Sequence, residues 1–355
     1  MKKAAILTIN DDWNYGNRLQ NYAVQRVLEK HNLKVETIYN QNNVYGVKYF
    51  KKKVKDNIKK VLNIKKEIKK YNKFNLFNKN IKFAKFAIDS KHIPKKLGLK
   101  YDYFFTGSDQ VWNPTFERMS DVDFLTFAPE IKRNSFSASF GINEIPKQMR
   151  EYYRENLMKM QKISVREDIG KIIIKELTGR DDVEVLVDPT MLLTNKEWNR
   201  VAKKPKMLKT DKYILNYFLG ELSEERKNEI EKIAKENECT VINILDKNSP
   251  FYQTGPSEFL YLEENAFLIC TDSFHSCVFA ILYNRPFIVF DREDKNASMN
   301  SRIETLLNKF ELQDRKFNGK ITKKELECDY ENAYKILESE KEKADKFLRK
   351  VLEKE

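Results

Sequence analysis

The sequence has few cysteines and glycines and no long hydrophobic run, and each shortage excludes a class of protein. Its four cysteines show no CxxC pairing, so we expect reduced thiols, with neither a disulfide framework nor a zinc site. Ten glycines, with 41% hydrophobic and 34% charged residues, indicate a globular rather than a fibrous or disordered chain. The apolar start MKKAAILTIN is too short to span a membrane and lacks a cleavage site. We therefore expect a cytoplasmic protein.

The net charge of +13 is concentrated in one segment. Residues 51–100 hold eighteen lysines against three acidic residues, a local balance of +15. Nearly pure lysine is not typical of a nucleic-acid-binding surface, where arginines are usually interleaved. Apolar residues recur at near-helical spacing among these lysines, so residues 51–86 fit peripheral contact with the anionic inner face of the plasma membrane. The alternative is a surface helix whose apolar stripe faces its own domain.

Strand-like runs alternate with amphipathic helices along most of the chain, which is typical of parallel sheets with helical crossovers. One series runs from AAILTI (4–9) to VEVLVDP (183–189), and a second runs from YILNYF (213–218) to PFIVF (286–290). The polar stretch KKPKMLKTDK separates them. We therefore expect an α/β fold with two domains that face a cleft.

These boundaries give a domain scheme for the whole chain. An N-terminal α/β domain is expected at 1–195, with a lysine-rich helical insertion at 48–97. A C-terminal α/β domain is expected at 205–330. The last segment, 331–355, is highly charged with helical spacing and predicts a C-terminal helix.

Ligands of open α/β sheets bind beyond the carboxyl ends of strands, where loops lead into helix N-termini. The stretch NDDWNYGNRLQNY (10–22) follows the first strand and offers the amides of Asn17 and Gln20. These residues are candidates for substrate binding, and ordinary helix capping is the alternative.

The stretch TGSDQVWNP (106–114) also follows a strand and is rich in polar groups. An acid, an amide and an indole together suit a sugar, whose hydroxyls need donors and acceptors and whose apolar face stacks on rings. The candidates in this stretch are Ser108, Asp109, Gln110 and Trp112.

Two further stretches follow later strands. ISVRE (163–167) places Arg166 at a strand end, where it binds an anion or, as the alternative, forms a surface ion pair. VDPTMLL (187–193) is expected to support the corner between the domains rather than the chemistry.

The stretch ICTDSFHSCVFA (269–280) places one of three histidines, His275, in the first turn of a helix that follows a strand. The helix dipole favours an anion there, and a histidine can transfer protons near neutral pH. A structural histidine is the alternative. Positive charge around the next strand would help to hold a doubly charged anion, and it comes from Arg285, Arg292, Lys295 and Arg302.

Several common catalytic and nucleotide-binding motifs are absent from the sequence. The sequence contains no P-loop, GxGxxG turn, GxSxG elbow or HExxH pair. Asp121-Val122-Asp123 resembles the DxD of metal-dependent glycosyltransferases, but it stands in no sugar-nucleotide context, so we interpret it as a loop. We therefore expect chemistry without a metal or cofactor.

NYGNRLQNYAVQ, GSDQVWNP, ISVRE, VDPTMLL and TDSFHS, in this order, resemble the polysaccharide pyruvyl transferase family from about Asn14 to Lys295. The resemblance implies two Rossmann-like domains in a GT-B-like fold. It also implies transfer of pyruvate from phosphoenolpyruvate (PEP) to two hydroxyls of a sugar in a cell-surface polysaccharide precursor, with release of phosphate. The acceptor sugar would be nucleotide-linked or lipid-linked.

Three residue roles follow from the same resemblance: Arg166 would bind PEP, His275 would serve the phosphoryl site, and Lys295 would help to neutralise the phosphate. For the proton transfers, His275 is our candidate acid, because a histidine can transfer protons near neutral pH. Asp109 is our candidate base for the sugar hydroxyl. Ser273, Ser276 and Arg285 complete the expected substrate-binding set.

Two other functions remain open at this point. One is a GT-B glycosyltransferase with a nucleotide-sugar donor, in which the same anion-binding loop would hold a diphosphate. The other is a noncatalytic glycan-binding or assembly protein of the cell envelope.

Overall fold

The computed structural model describes residues 1–10, 13–40, 61–292 and 300–353, and only the backbone of 61–64, 300 and 301. Lys295 and residues 51–60 of the expected membrane segment lie outside this part of the chain. Strands and helices there alternate in the order β1 (Lys3–Leu7), α1 (Tyr15–Lys30), β2 (Lys34–Asn40), α2 (Val61–Asn78), β3 (Phe83–Ile88), α3 (Leu97–Lys100), β4 (Tyr103–Thr106), β5 (Arg133–Ser135), α4 (Arg150–Met158), β6 (Ser164–Val165), α5 (Asp168–Thr178), β7 (Glu184–Val185), α6 (Asn195–Asn199), β8 (Tyr213–Tyr217), α7 (Glu224–Glu236), β9 (Thr240–Asn243), α8 (Pro256–Asn265), β10 (Leu268–Thr271), α9 (Phe274–Leu282), β11 (Phe287–Val289), α10 (Asn300–Lys309) and α11 (Glu331–Leu352).

The chain forms two compact units. The first consists of Met1–Asp56, Asn78–Leu193 and Ser339–Glu355, and the second consists of Asn57–Phe77 and Thr194–Glu338. The described lysine-rich residues 61–77 therefore group with the second unit, and residues 339–353 group with the first.

The first unit is built on a parallel sheet with the strand order β3-β2-β1-β4-β5. Its central strand β1 is buried along Ala4–Leu7, because helices or loops cover both faces of a parallel sheet. Strands β6 and β7 pair in parallel. Single parallel bridges also join Asn134 of β5 to Lys162, and Ala138 to Val165 of β6. The carboxyl ends of β1, β4, β6 and β7 all lead into predicted site loops.

The second unit has a parallel sheet in the order β11-β10-β8-β9. Helix α7 packs Ile230, Ile233 and Ala234 on one face of this sheet, against Ile214 and its neighbours. Every residue of α9 is buried, and its Phe279 ring contacts the rings of Trp198 and Phe259. Such complete burial explains why α9 is apolar apart from His275 and Ser276.

Helix α2 is the first described element of the lysine-rich segment, and several of its lysines contact other residues of the second unit. Lys73 pairs with Glu258 at 2.6 Å, Lys66 donates to the carbonyl of Lys247 at 2.8 Å, and Lys70 lies over the Tyr252 ring. The buried Phe74 and Phe77 match the alternative interpretation, in which the apolar stripe of the helix faces its own domain.

One element of the expected insertion at 48–97 is wrong. Residues Phe83–Ile88 form strand β3, which pairs with β2 at the sheet edge, rather than a helix. The near-continuous apolar spacing of FAKFAI fits either structure when the run is this short, and the free edge of β2 decides in favour of the strand.

Candidate active site

The centre of the first unit's site is the buried guanidinium of Arg166, directly after β6. Its Nη1 donates to Asp188 Oδ2 at 2.7 Å, its Nε donates to Glu167 Oε1 at 3.2 Å, and its Nη2 lies 3.8 Å from Asp109 Oδ1. Burial disfavours the charged form, but the three carboxylates outweigh burial and raise the pKa of Arg166. The Arg166 side chain is 2% exposed, and its expected contact with PEP stays a prediction.

Residues of the loops after β1 and β4 extend this charged group of Arg166, Asp109, Glu167 and Asp188, which we call the Arg166 cluster. The Ser108 hydroxyl donates to Asp188 Oδ2 at 2.9 Å, and the Ser108 amide donates to Gln20 Oε1 at 3.1 Å. The Gln20 amide in turn donates to Thr8 Oγ1 at 2.7 Å. Ser108 and Gln20 are fully buried, so these bonds correct the expectation that they bind substrate. Both residues hold the loops in place.

Asp109 is the most exposed of the three carboxylates around Arg166, with a side chain that is 9% exposed. Its backbone is in the left-handed region, with φ 48°, and its carboxylate accepts from the Gln110 amide at 2.9 Å. The Gln110 side chain accepts from Asn113 Nδ2 at 2.7 Å. Asp109, Gln110 and Asn17 retain a few per cent of exposure at the carboxyl edge of the sheet, and their predicted roles remain predictions.

Trp112 belongs to the core of the first unit. It is fully buried and stacks on Phe124, with ring centroids 5.6 Å apart, while its Nε1 donates to the Asp123 carbonyl at 3.1 Å. Phe140 packs against the same ring. This packing corrects the expectation that Trp112 stacks on a sugar, because no indole face is left for a ligand.

In the second unit, Asp272 organises the loops at the carboxyl edge of the sheet. Its two oxygens accept the amides of Leu219 and Gly220, each at 2.7 Å, and Oδ2 lies 3.1 Å from Arg292 Nε. The three loops that follow β8, β10 and β11 therefore meet at one carboxylate. Arg292 is held by the protein in this arrangement.

His275 lies in the first turn of α9, immediately beyond this carboxylate. It is 7% exposed, and its ring meets the edge of Phe274 at a centroid distance of 5.3 Å. The N-cap residue Ser273 makes no side-chain capping bond. The backbone amides of the first turn therefore point to a position beside the helix N-terminus, and an anion at this position would be stabilised.

Ser276 faces away from this edge. It is fully buried and donates to Glu263 Oε1 on α8 at 2.6 Å. Burial raises the pKa of Glu263 well above its ordinary value, although the Ser276 hydrogen bond lowers it. The expectation that Ser276 binds substrate is thereby corrected, because its hydroxyl serves helix packing.

Arg285 stands at the opposite edge of the sheet from His275. It precedes β11, and the adjacent Pro286 carbonyl accepts from Ile269 near the start of β10. Since β10 and β11 are parallel, Arg285 marks their amino ends and His275 their carboxyl ends. The assignment of Arg285 to the phosphate site is therefore wrong.

Sequence reasoning missed the acids that organise each site: Glu167, Asp188 and Asp272. Each directly follows or lies close behind a strand, which was the available signal. Asp188 also caps the turn after β7 by accepting from the Thr190 amide at 3.0 Å. VDPTMLL therefore contributes a carboxylate to the site cluster of the first unit.

Two searches bear on the setting of these sites. In the part of the chain that the structure describes, no group of three or more His, Cys, Asp or Glu residues is placed to hold a metal ion. Among the same residues, no helix combines the length and the apolar character needed to cross a bilayer.

Comparisons with known proteins address family and fold. The family model for polysaccharide pyruvyl transferase matches residues 14–294, whereas no curated protein matches the chain in sequence. A glycosyltransferase from Rickettsia africae is 12% identical, with 100% of each chain covered and a TM-score of 0.51. A UDP-GlcNAc 2-epimerase from Neisseria meningitidis is 14% identical over 98% of this chain and 100% of that chain, with a TM-score of 0.48. The likeness to the glycosyltransferase confirms the predicted α/β, GT-B-like fold.

Proposed function

The chain belongs to the polysaccharide pyruvyl transferase family, and on this premise we propose that it is a PEP-dependent ketal pyruvyl transferase. It would transfer pyruvate to two hydroxyls of a nucleotide-linked or lipid-linked sugar that enters a cell-surface polysaccharide, such as an exopolysaccharide or a capsule. The observation that carries the proposal is the family match, which includes Asp109, Arg166 and His275.

The second unit is proposed to hold PEP. The open first turn of α9 supports this assignment, because its amides and the helix dipole favour a phosphate. His275 stands in that turn and supplies a hydrogen-bond donor. Arg292 and Lys295 are the proposed sources of positive charge, and fixed charge at the leaving phosphate would contribute much of the rate.

The reaction is balanced by two proton transfers. The PEP methylene carbon accepts a proton and becomes a methyl group, so that C2 becomes cationic. A first sugar hydroxyl attacks C2 and loses its proton, the bond from C2 to the phosphate oxygen breaks, and a neighbouring hydroxyl closes the cyclic ketal. The two hydroxyls thus lose two protons, while the new methyl group gains one proton and the departing phosphate gains the other.

His275 is the proposed acid and Asp109 the proposed base. Asp109 is supported in this role because it is the most exposed of the three carboxylates around Arg166. The Arg166 guanidinium, whose Nη2 lies 3.8 Å from Asp109 Oδ1, would orient the carboxylate. Arg166 keeps its proposed role as the residue that binds PEP, and its contacts with Asp188 and Glu167 fix its position.

The exposed face of α2 is proposed to contact an anionic membrane. Ile68 is 41% exposed and Leu76 is 49% exposed on this face, two turns apart, and the exposed Lys65 and Lys69 accompany them. Apolar side chains among lysines suit the headgroup region of a bilayer. A lipid-linked acceptor would lie at the same surface.

The test measures phosphate release from PEP with a panel of nucleotide-linked and lipid-linked sugars. We expect release only with a matching acceptor, and a loss of about 10²- to 10⁴-fold in His275→Ala if this residue is the general acid. The matched control is His92→Ala, because His92 is a surface histidine paired with Asp89.

Two results would contradict the proposal. If PEP is left unchanged with every acceptor while a nucleotide sugar is consumed, the protein is a glycosyltransferase. Alternatively, neither donor would be bound, which would identify a noncatalytic glycan-binding protein. Thermal melts of both histidine variants show whether the fold is retained.

A further inference from the structure

A cavity of about 380 Å³ lies in the second unit, where β8 and β9 end beside α7. Asn216 of β8 lines it and shares a sheet face with Ile214, which packs on α7. Tyr217, the next residue of β8, points to the other face and contacts Phe259 of α8. Since side chains alternate along a strand, the cavity lies on the α7 face. No residue assigned to pyruvyl transfer lines it.

Two carboxamides form the polar floor of the cavity. Asn216 and Asn243 are direct partners in the parallel pairing of β8 with β9, so their side chains leave the sheet on the same face, and both line the cavity. Asn216 is 7% exposed, and its Oδ1 has no hydrogen-bond partner among the described residues. A buried carboxamide oxygen without a donor is costly, and a ligand that brings one removes the cost.

The walls of the cavity are apolar. Phe218, Leu222, Ile230 and Val241 surround the two amides. A monosaccharide carries hydroxyls around its whole ring, which such walls could not satisfy. A flat heterocycle with an N–H edge matches both parts, because its faces pack on apolar side chains and its edge donates to the Asn216 carboxamide.

The rim of the cavity does not favour phosphate. Lys227 is its cation, and this residue pairs with Glu224 at 2.6 Å. Glu231 and Asp246 add negative charge at the same opening. An anionic group would therefore remain in solvent beyond the rim, and only the neutral part of a ligand would enter.

We propose that this cavity binds the base of a nucleotide, with the Asn216 carboxamide as the recognition group. The base could be that of a free nucleotide or that of a nucleotide-linked sugar, and the second source rests on the proposed function. In either case the shared chemistry is a planar base with an N–H edge.

The experiment uses the full chain without PEP, so that its result is independent of pyruvyl transfer. Binding of UMP, GMP and AMP is measured by saturation-transfer NMR and calorimetry, with ribose 5-phosphate as the ligand that lacks a base. We expect at least one nucleotide to bind through its base protons and ribose 5-phosphate not to bind. Asn216→Leu should weaken the affinity at least tenfold.

A second variant and a matched control accompany this measurement. Leu245→Trp fills the cavity from its rim and leaves the sheet intact, so it tests the site if Asn216→Leu does not fold. Asn228→Leu changes an exposed asparagine on α7 that does not line the cavity, and it should bind as the unmodified chain does. The proposal is overturned if no nucleotide binds, if ribose 5-phosphate binds equally well, or if both cavity variants keep full affinity.

The source of the base is decided by a further comparison. If a nucleotide sugar binds at least tenfold more tightly than the matching nucleoside monophosphate, the ligand is the linked sugar. If the two affinities are equal, the cavity recognises the base of a free nucleotide.

Discussion

Arg166 Nη1 lies 2.7 Å from Asp188 Oδ2, and the same carboxylate oxygen accepts the Ser108 hydroxyl at 2.9 Å. One buried acid thus connects the loops that follow β4, β6 and β7. Because the β4 loop carries Asp109 and the β6 loop carries Arg166, the geometry of the candidate site in the first unit depends on this contact.

Removal of Asp188 should destabilise the protein strongly. Asp188→Ala leaves the buried Arg166 with one close carboxylate fewer, and breaking a buried pair costs about 3–5 kcal/mol. Urea denaturation measures the loss. Glu331→Ala is the control, because it breaks the exposed pair with Lys335 on α11 and should leave the free energy of unfolding nearly unchanged. Equal effects of the two changes would show that the Arg166 cluster does not stabilise the fold.

Two glycines with positive φ allow the stability cost of backbone strain to be compared with the additional cost of side-chain crowding. Gly141 and Gly179 have φ of 65° and 73°, and an alanine in this region costs about 1 kcal/mol. A Cβ at Gly141 would overlap the Gln110 side chain, whereas one at Gly179 meets nothing within 4 Å.

Gly141→Ala should therefore cost at least about 1 kcal/mol more than Gly179→Ala in chemical denaturation, and it should reduce pyruvyl transfer by displacing the loop of Asp109. Matching losses of stability would mean that Gln110 moves aside without penalty.

Glu263 should make stability fall as pH rises. Because burial raises its pKa well above the ordinary 4.5, the folded carboxyl keeps a proton that the unfolded chain releases. The contribution of Glu263 to the free energy of unfolding is complete below the pKa that this residue has in the unfolded chain. Above that pKa it decreases by about 1.4 kcal/mol per pH unit, until the pKa of Glu263 in the folded chain is reached.

Glu263→Gln keeps an acceptor for Ser276 and cannot ionise, so this variant should gain stability over the unmodified chain between pH 5 and pH 8. Thermal unfolding across that range measures the difference. The same change at exposed Glu342 should leave the dependence of stability on pH unchanged. If Glu263→Gln shows the same pH dependence as the unmodified chain, Glu263 is not a buried protonated acid.

Contact of α2 with an anionic membrane should depend on its outward face. Deletion of the helix would remove Lys73 from Glu258 and disturb the second unit, so point variants are preferable. Lys65→Glu with Lys69→Glu should reduce co-sedimentation with phosphatidylglycerol liposomes at least tenfold, since each basic residue contributes about 1 kcal/mol near such a surface.

Ile172→Ser, at an exposed apolar residue of α5, is the control for a general change of surface, and neutral liposomes are the control for charge. If the lysine variant sediments with the liposomes as fully as the unmodified chain, α2 does not contact the membrane.

The amino-acid pattern alone indicated most of the fold. Alternation of apolar runs and amphipathic helices predicted the parallel sheets, and the helix expected to start near Phe274 begins at that residue. These features are local, because strand and helix periods are properties of neighbouring residues. The strand-end rule also indicated the loops of Ser108 and Arg166 as candidate sites, and hydrogen bonds from both residues to Asp188 bring these two loops together.

The tertiary structure decided what each polar or aromatic side chain contacts. Trp112 and Ser276 resemble ligand-binding residues in the sequence, but Phe124 covers the first and Glu263 binds the second. The sheet also placed Arg285 at the edge opposite His275, although only ten positions separate them. Burial and hydrogen-bond partners depend on elements distant in the chain, so periodicity determined the scaffold, while packing determined which residues remain at the site.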